Sequence, residues 1–415
     1  MLEAADLEPA ALEPGDLVGV RLPPGPAWRD LISRVWDAGA ALLPIDVRLT
    51  PAETDEIVRR AKPTVLLDEA GRWRRPGRSG RSGRSEGVPA EGGIVAVIHT
   101  SGTAGAPKLV EFDRHAIDAA VASSALALEA GPHDRWLCCL PVAHVGGLLV
   151  AVRAVLLGAP VTVHERFEVE TFERERDVAF VSVVPTMLVR LLDAGADLAR
   201  FRAILVGGAA LPELVRRRAE EAGASLVETY GLTETCGGVV YDGRPLPGTS
   251  LRLDPLTHGI ELIGPTLMRG YRYDPSATEM AFTADGWLRP GDAGRFDDDG
   301  RLRVLGRLDD LIDTGGEKVW PQQVEAALAT HPAVAVVAVA GRPDPEWGQR
   351  VVAFVVPSDP ASPPSLRQLR DHVAATIARF KAPHELVLLD ALPRTSSDKV
   401  RRSELARLPQ DVRPE

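Results

Sequence analysis

The sequence predicts an α/β protein: a large N-terminal domain of helix-covered sheets, a β-rich lobe, and a small α+β C-terminal domain. Three observations predict it. The chain has 415 residues, more than one hydrophobic core serves. Apolar runs of strand length alternate with helix-spaced patterns through the first half. The texture then changes twice, after Thr249 and after Arg307.

Taken in order, Leu17 to Leu22, Ala41 to Pro44 and Thr64 to Leu67 read as strands, with helical spacing at Trp28 to Ala38 and Thr50 to Ala61. From Gly71 to Gly87 the text is Arg, Gly and Ser in short repetition without apolar periodicity, which predicts a solvated loop. Ile94 to Ile98, Ala203 to Val206 and Leu226 to Glu228 are continuous apolar runs separated by helical patterns such as Glu213 to Ala222, as in a parallel sheet covered on both faces. Thr249 to Val304 is cut into short strands by Gly, Pro and Asp, including the turn Asp297 to Gly300. Beyond it come a helix opened by Pro321, strands at Val334 to Ala340 and Val351 to Val356, and a helix from Leu366 to Phe380. Its apolar face holds Leu366, Leu369, Val373, Ile377 and Phe380. The domains expected are therefore 1–308 and 309–415.

Composition narrows the function. A net charge of -10 argues against a general nucleic-acid binder, which needs clustered Lys and Arg for the phosphate backbone. Cys138, Cys139 and Cys236 form neither a disulfide framework nor a metal-ligand spacing, so reduced, buried thiols are expected. Met1 to Pro14 lacks the basic start and apolar run of a signal peptide. Leu137 to Val163, the most lipid-like stretch, is interrupted by Pro141, His144, Gly146, Gly147 and Arg153 and reads as buried core, not as a membrane span. A cytoplasmic enzyme is expected.

The strongest local signal follows the strand at Ile94: Thr100-Ser101-Gly102-Thr103-Ala104-Gly105-Ala106-Pro107-Lys108. Small residues let backbone N–H groups approach phosphate oxygens, hydroxyls add donors, and the lysine adds a point charge. The Walker A pattern cannot be aligned to it, which argues against a P-loop ATPase. Further along stand Thr229-Tyr230-Gly231-Leu232-Thr233-Glu234-Thr235, Gly291-Asp292, Gly306-Arg307-Leu308-Asp309-Asp310 and Pro393-Arg394-Thr395-Ser396-Ser397-Asp398-Lys399.

In this order and at these separations, the segments resemble the core motifs of the adenylate-forming superfamily, over about Asp16 to Leu405. The resemblance implies ATP-dependent activation of a carboxylic acid as acyl-adenylate, followed by acyl transfer to coenzyme A, with Mg²⁺ as cofactor. It implies that the loop Thr100, Ser101, Gly102, Thr103, Gly105 and Lys108 holds the β- and γ-phosphates, and that Glu234 holds the metal. Tyr230, with Gly231 beside it, would stack on adenine. Thr233 would donate to the α-phosphate, Asp292 would accept from the ribose hydroxyls, and Arg307 would face ribose or phosphate. Gly207, Gly208 and Ala209 resemble the loop where adenine and acid meet, and His144 matches the border of the acyl pocket. Lys399 would bridge carboxylate and nucleotide during adenylation, then withdraw as a mobile small domain turns about a hinge at Asp309. Gly315 and Gly316 would then line the channel for the pantetheine thiol.

Three positions depart from the superfamily pattern: Ala104 for threonine, Leu109 for glycine, and Asp398 for the glycine before the lysine. Tyr230 to Leu246, and the short chain, resemble the branch whose acid is o-succinylbenzoate. Other small aryl or aliphatic acids fit the same text, as does a carrier-protein thiol in place of coenzyme A. A nucleotide-sensing relative without activity would lack Glu234 or Lys399, and both are present. Partners are thus a small carboxylic acid, ATP and coenzyme A, with no nucleic acid and no membrane span; a homodimer is compatible with the sequence.

Overall fold

In a computed structural model that describes residues 12–76, 87–100, 107–394 and 400–408, the chain is a mixed α/β protein of two compact units. The first contains the described residues up to 251 together with Leu262–Leu288; the second contains Arg252–Glu261 and the described residues from 289 onward. The stretch read as one β-rich lobe is therefore divided. Residues 262–288 contribute the strand Gly270–Tyr271 and the helix Pro275–Ala281 to the first unit.

The first unit holds two seven-stranded sheets among its described residues. In one, Val65–Leu67, Leu17–Val20, Ala41–Pro44 and Ile94–His99 are neighbours and run parallel. Antiparallel strands close its edges: Leu109–Asp113 then Gly270–Tyr271 on one side, Trp73–Arg74 on the other. Trp73–Arg74 lies in the segment read as loop. Leu66 and Leu67 pair with Arg74 and Trp73, and Arg75 reaches Asp16 at 2.8 Å, so a two-residue strand forms without any periodicity to betray it. The rest of that segment, 77–86, lies outside the described residues.

Helices cover this sheet for reasons written in their sequence. Ala27–Asp37 buries Trp28, Leu31, Ile32 and Val35, one apolar stripe at helical spacing. Pro51–Ala61 begins where Thr50 and Glu53 exchange capping hydrogen bonds, worth about 1 kcal/mol.

In the second sheet Leu226–Leu232, Ala203–Val206, Phe180–Val183, Trp136–Cys138 and Val161–Val163 run parallel, and Gly237–Tyr241 adds an antiparallel hairpin to Leu226–Leu232. Most of the lipid-like stretch is core, as expected: strand Trp136–Cys138 and most of helix Val145–Leu156 are buried, while the edge strand Val161–Val163 is half-buried. Its charge, Arg153, is buried with its guanidinium 4.3 Å from the centre of the Trp136 ring and donating to Ser124 Oγ at 2.8 Å. No helix among the described residues is long and apolar enough to cross a membrane. All three cysteines are buried and free, and burial pushes the Cys138 and Cys236 thiols up to about 12.

In the second unit, Asp292–Phe296 and Leu302–Arg307 form a hairpin whose Asp297–Gly300 turn is closed by Gly300 N–H to Asp297 O at 2.9 Å. A five-stranded sheet carries Ile312–Thr314, Glu317–Val319, Val334–Asp344, Gly348–Pro357 and Glu385–Leu388. Helices Pro321–Leu328 and Leu366–Ala374 bury Val324, Leu328, Leu369 and Val373 against it. The second of these helices is six residues shorter than its pattern predicts. It stops at Ala374 and is followed by a 3₁₀ turn at Arg379–Lys381, leaving Phe380 41% exposed. The β-branched pair Thr376-Ile377 disfavours continuation, and Thr376 donates both its N–H and its hydroxyl to Val373 O, at 3.0 and 3.1 Å, which tightens the last turn.

Candidate active site

The carboxyl ends of parallel strands are where open α/β sheets place ligands, and the predicted residues of the first unit gather there. Val206 and Glu228 are register partners on adjacent parallel strands, so Gly207–Ala209 leave the sheet beside Thr229–Leu232, which continue the neighbouring strand. A Cβ on Gly207 would stand 2.3 Å from Thr229 Oγ1. Tyr230 lies opposite Val240 in the antiparallel hairpin, and a bulge follows it. Gly231 sits at that bulge. There a Cβ would meet the Gly237 carbonyl oxygen at 1.9 Å, so only glycine lets the two backbones approach this closely.

The chain then enters a 3₁₀ turn, Thr233–Thr235. Thr235 is wholly buried and donates to Gly237 O at 2.7 Å while accepting from Leu232 N–H at 2.9 Å. Glu234 stands half-buried between these anchors. Its carbonyl accepts from Met268 N–H at 2.9 Å, and its Oε1 accepts from the Tyr271 hydroxyl at 2.8 Å.

Of the predicted phosphate loop, Thr100 and Lys108 are described; Ser101, Gly102, Thr103 and Gly105 lie outside the described residues. Thr100 N–H donates to Lys108 O at 2.9 Å, closing the base of the segment. Lys108 Nζ lies 4.4 Å from the centre of the Tyr271 ring. Leu109, standing where the superfamily has glycine, is buried with Ile57, Ala61 and Val97.

His144 caps the strand-to-helix turn ahead of Val145–Leu156 without a side-chain cap bond. Its Nε2 is 3.6 Å from Asp46 Oδ2, and its ring centre is 6.2 Å from that of His99. Asp46, at the end of strand Ala41–Pro44, is buried and takes three side-chain contacts from Arg48 at 2.6 to 3.1 Å. Burial pushes the Asp46 carboxyl up, but the Arg48 hydrogen bonds and charge outweigh it and hold it below the ordinary 3.8. His99, 5% exposed, has a buried Nε2 with no hydrogen-bond partner. Burial first, and His144 second, bring it down to about 4.

In the second unit, Asp292 and Arg307 are opposite one another in the hairpin, and Arg307 Nη1 contacts Asp292 Oδ1 at 3.3 Å and Pro290 O at 2.7 Å. Asp309 lies exposed in the turn Leu308–Asp310. Its neighbour Asp310 is raised above its ordinary value by burial, against the pull of Arg402 at 3.5 Å. Gly315 and Gly316 form the two-residue turn between Ile312–Thr314 and Glu317–Val319, with φ of +63° and +87°. Gly315 also lies against Trp347, whose ring carbon would be 2.6 Å from a Cβ there.

Lys399 and Asp398 lie outside the described residues. The residues bracketing them are held: Arg394 and Val400 form a β-bridge, and Arg402 binds both carboxylate oxygens of Glu325 at 2.8 Å.

Tyr271, Asp46, Arg48, His99 and Trp347 escaped the sequence reading. Only the alternation around Gly270-Tyr271 and the Asp at a strand end offered a signal, and neither is specific.

The chain matches the AMP-binding enzyme family over residues 4–271 and the AMP-binding enzyme C-terminal domain over residues 323–399. It is 41% identical over 328 residues to the "Probable 2-succinylbenzoate--CoA ligase" of Mycobacterium tuberculosis (strain CDC 1551 / Oshkosh), covering 76% of this chain and 84% of that protein. Among solved structures it resembles o-succinylbenzoate CoA synthetase (MenE) from Bacillus subtilis in complex with the acyl-adenylate intermediate OSB-AMP. There the TM-score is 0.83 and the identity 29%, over 96% of this chain and 90% of that one. The same Bacillus enzyme in complex with ATP and magnesium ion gives a TM-score of 0.81 and 28% identity, over 95% and 90%. The motifs, the two-unit architecture and these matches lead to one conclusion: the chain belongs to the AMP-binding enzyme family.

Proposed function

We propose that this protein is an ATP-dependent acid:coenzyme A ligase whose acid is 2-succinylbenzoate, acting in the cytoplasm in menaquinone synthesis. The observation that carries the reading is the meeting of Gly207–Ala209, at the carboxyl end of one parallel strand, with Thr229–Leu232 of its neighbour. The names of the curated and solved relatives support the choice of acid.

In the first step a carboxylate oxygen of the acid attacks the α-phosphorus of ATP, and pyrophosphate leaves. Two anions must meet, so positioning and charge neutralisation supply most of the rate. Thr100, Ser101, Gly102, Thr103, Gly105 and Lys108 grip the terminal phosphates. Tyr230 stacks on adenine with Gly231 beside it, Thr233 donates to the α-phosphate, and Asp292 and Arg307 take the ribose. His144, Gly207, Gly208 and Ala209 border the acid, and Lys399 bridges acid and nucleotide.

Mg²⁺ fits the donors present. Glu234 offers one hard carboxylate, and the described residues contain no group of three or more His, Cys, Asp or Glu able to cage a metal. A single protein carboxylate plus substrate phosphates and water is the usual Mg²⁺ arrangement, and when bound the cation neutralises phosphate charge.

In the second step the coenzyme A sulfur attacks the acyl carbon, AMP departs and the thiol proton is released. Residues 309–415 act as the small domain that turns about Asp309, withdrawing Lys399 and presenting Gly315 and Gly316 to the pantetheine arm. Exchange of labelled pyrophosphate into ATP tests the first step. Exchange that requires 2-succinylbenzoate supports the reading; exchange indifferent to it discards that acid.

A further inference from the structure

We propose that Tyr271 is a positioning residue that fixes the Glu234 carboxylate for the nucleotide's divalent cation and couples it to Lys108; this rests on the metal role proposed for Glu234. Tyr271 donates its hydroxyl to Glu234 Oε1 at 2.8 Å across 37 residues of sequence. The same segment holds the Glu234 backbone, through Met268 N–H to Glu234 O at 2.9 Å. Two bonds, one to the main chain and one to the carboxylate, set both the place and the rotation of this acid. With the phenol on Oε1, Oε2 would be offered to a cation.

Tyr271 is itself immobilised. It pairs with Val110 as Gly270 pairs with Glu111, which welds it to the strand that follows Lys108. Its N–H donates to Thr278 Oγ1 at 2.9 Å, and a Cβ on Gly270 would stand 2.9 Å from Thr278 Cγ2, so helix Pro275–Ala281 presses the strand from behind. Next in sequence, the buried Arg272 clamps the segment to Glu111 Oε1 at 2.9 Å, Ala61 O at 3.1 Å and Val88 O at 2.8 Å. The other face of the arrangement is the Tyr271 ring, with Lys108 Nζ 4.4 Å from its centre. One side chain thus contacts both the Lys108 ammonium and the Glu234 carboxylate. Residues that orient a metal ligand typically change metal affinity about 10–100-fold when removed.

The test compares wild type with Tyr271→Phe, which keeps the ring beneath Lys108 and deletes only the hydroxyl. Calorimetric titration of ATP at graded Mg²⁺ needs neither acid nor turnover. The expected result is a rise of about tenfold or more in the Mg²⁺ concentration that half-saturates ATP binding. ATP affinity at saturating Mg²⁺ should be retained, and the melting temperature should stay near that of wild type. In a Glu234→Gln background, Tyr271→Phe should add almost nothing, since the two act as one unit. An unchanged Mg²⁺ requirement in Tyr271→Phe, or full additivity with Glu234→Gln, overturns the proposal alone. ATP binding by wild type that is indifferent to Mg²⁺ overturns the metal reading and this proposal with it.

Discussion

His144 Nε2 stands 3.6 Å from Asp46 Oδ2, and Asp46 is itself held by Arg48, so the histidine assigned to the acid pocket faces a fixed, buried anion. The pair links the helix after one sheet's strand to the carboxyl end of a strand in the other sheet. Replacing Asp46 by Asn keeps the shape and removes the charge that orients the ring. Asp46→Asn is expected to raise the KM for the acid about fivefold, on the order of 1 kcal/mol, and to leave the KM for ATP unchanged. Steady-state kinetics with each substrate varied in turn measures this, and equal changes in both constants would remove Asp46 from the acid side.

His99 makes a pH prediction. Its pKa falls from an ordinary 6.5 to about 4 in the folded chain, through burial and through His144. The unfolded chain therefore binds the proton first. This residue costs nothing above pH 6.5, and stability is lost as pH falls from there toward 4, at up to about 1.4 kcal/mol per unit. Urea midpoints at pH 7 and pH 5 should draw apart in wild type and less so in His99→Gln. The same separation in both would contradict the buried neutral histidine. Asp46 acts lower on the scale: its depressed carboxyl contributes stability above 3.8 that disappears as pH falls through the folded value.

Lys399→Ala is expected to lower acyl-adenylate formation by at least about a hundredfold, the range for loss of a charge that stabilises a transition state. Thioester formation from supplied acyl-adenylate should be nearly intact. Single-turnover assays of each half-reaction separate the two, and equal loss in both would end the role given to this lysine.

Gly315 tests the second half-reaction from the other side. Alanine at φ +63° costs roughly 1–2 kcal/mol, and its methyl would meet the Trp347 ring. Gly315→Ala should slow thioester formation and spare pyrophosphate exchange, and adding Trp347→Ala should recover part of the loss. Loss confined to pyrophosphate exchange would exclude Gly315 from the thiol path.

The sheet core was legible in the sequence because local pattern and burial agree. Ala41–Pro44 and Ala203–Val206 are strands at the predicted bounds, and the helical spacing from Thr50 to Ala61 is the helix Pro51–Ala61. Trp73–Arg74 was not legible, since two residues have no period and the pairing with Leu66 and Leu67 decides them. The helix from Leu366 was overextended because its apolar spacing continues to Phe380, whereas the regular helix ends at Ala374 and closes in a tightened turn through Thr376 and Ile377 onto Val373 O. At the site, residues such as Gly207, Tyr230 and Glu234 could be proposed from motif order and spacing. Their supports could not: Asp46 meets His144, and Tyr271 meets Glu234, only through the tertiary fold.

The most direct test of the central claim incubates the protein with ATP, Mg²⁺ and coenzyme A, and either 2-succinylbenzoate or a panel of small aryl and aliphatic acids, and follows AMP and acyl-coenzyme A by mass. The account predicts AMP rather than ADP and a thioester formed preferentially from 2-succinylbenzoate. AMP and a thioester from another acid alone would contradict the assigned substrate, and release of ADP, or no AMP with any acid, would contradict the assigned reaction.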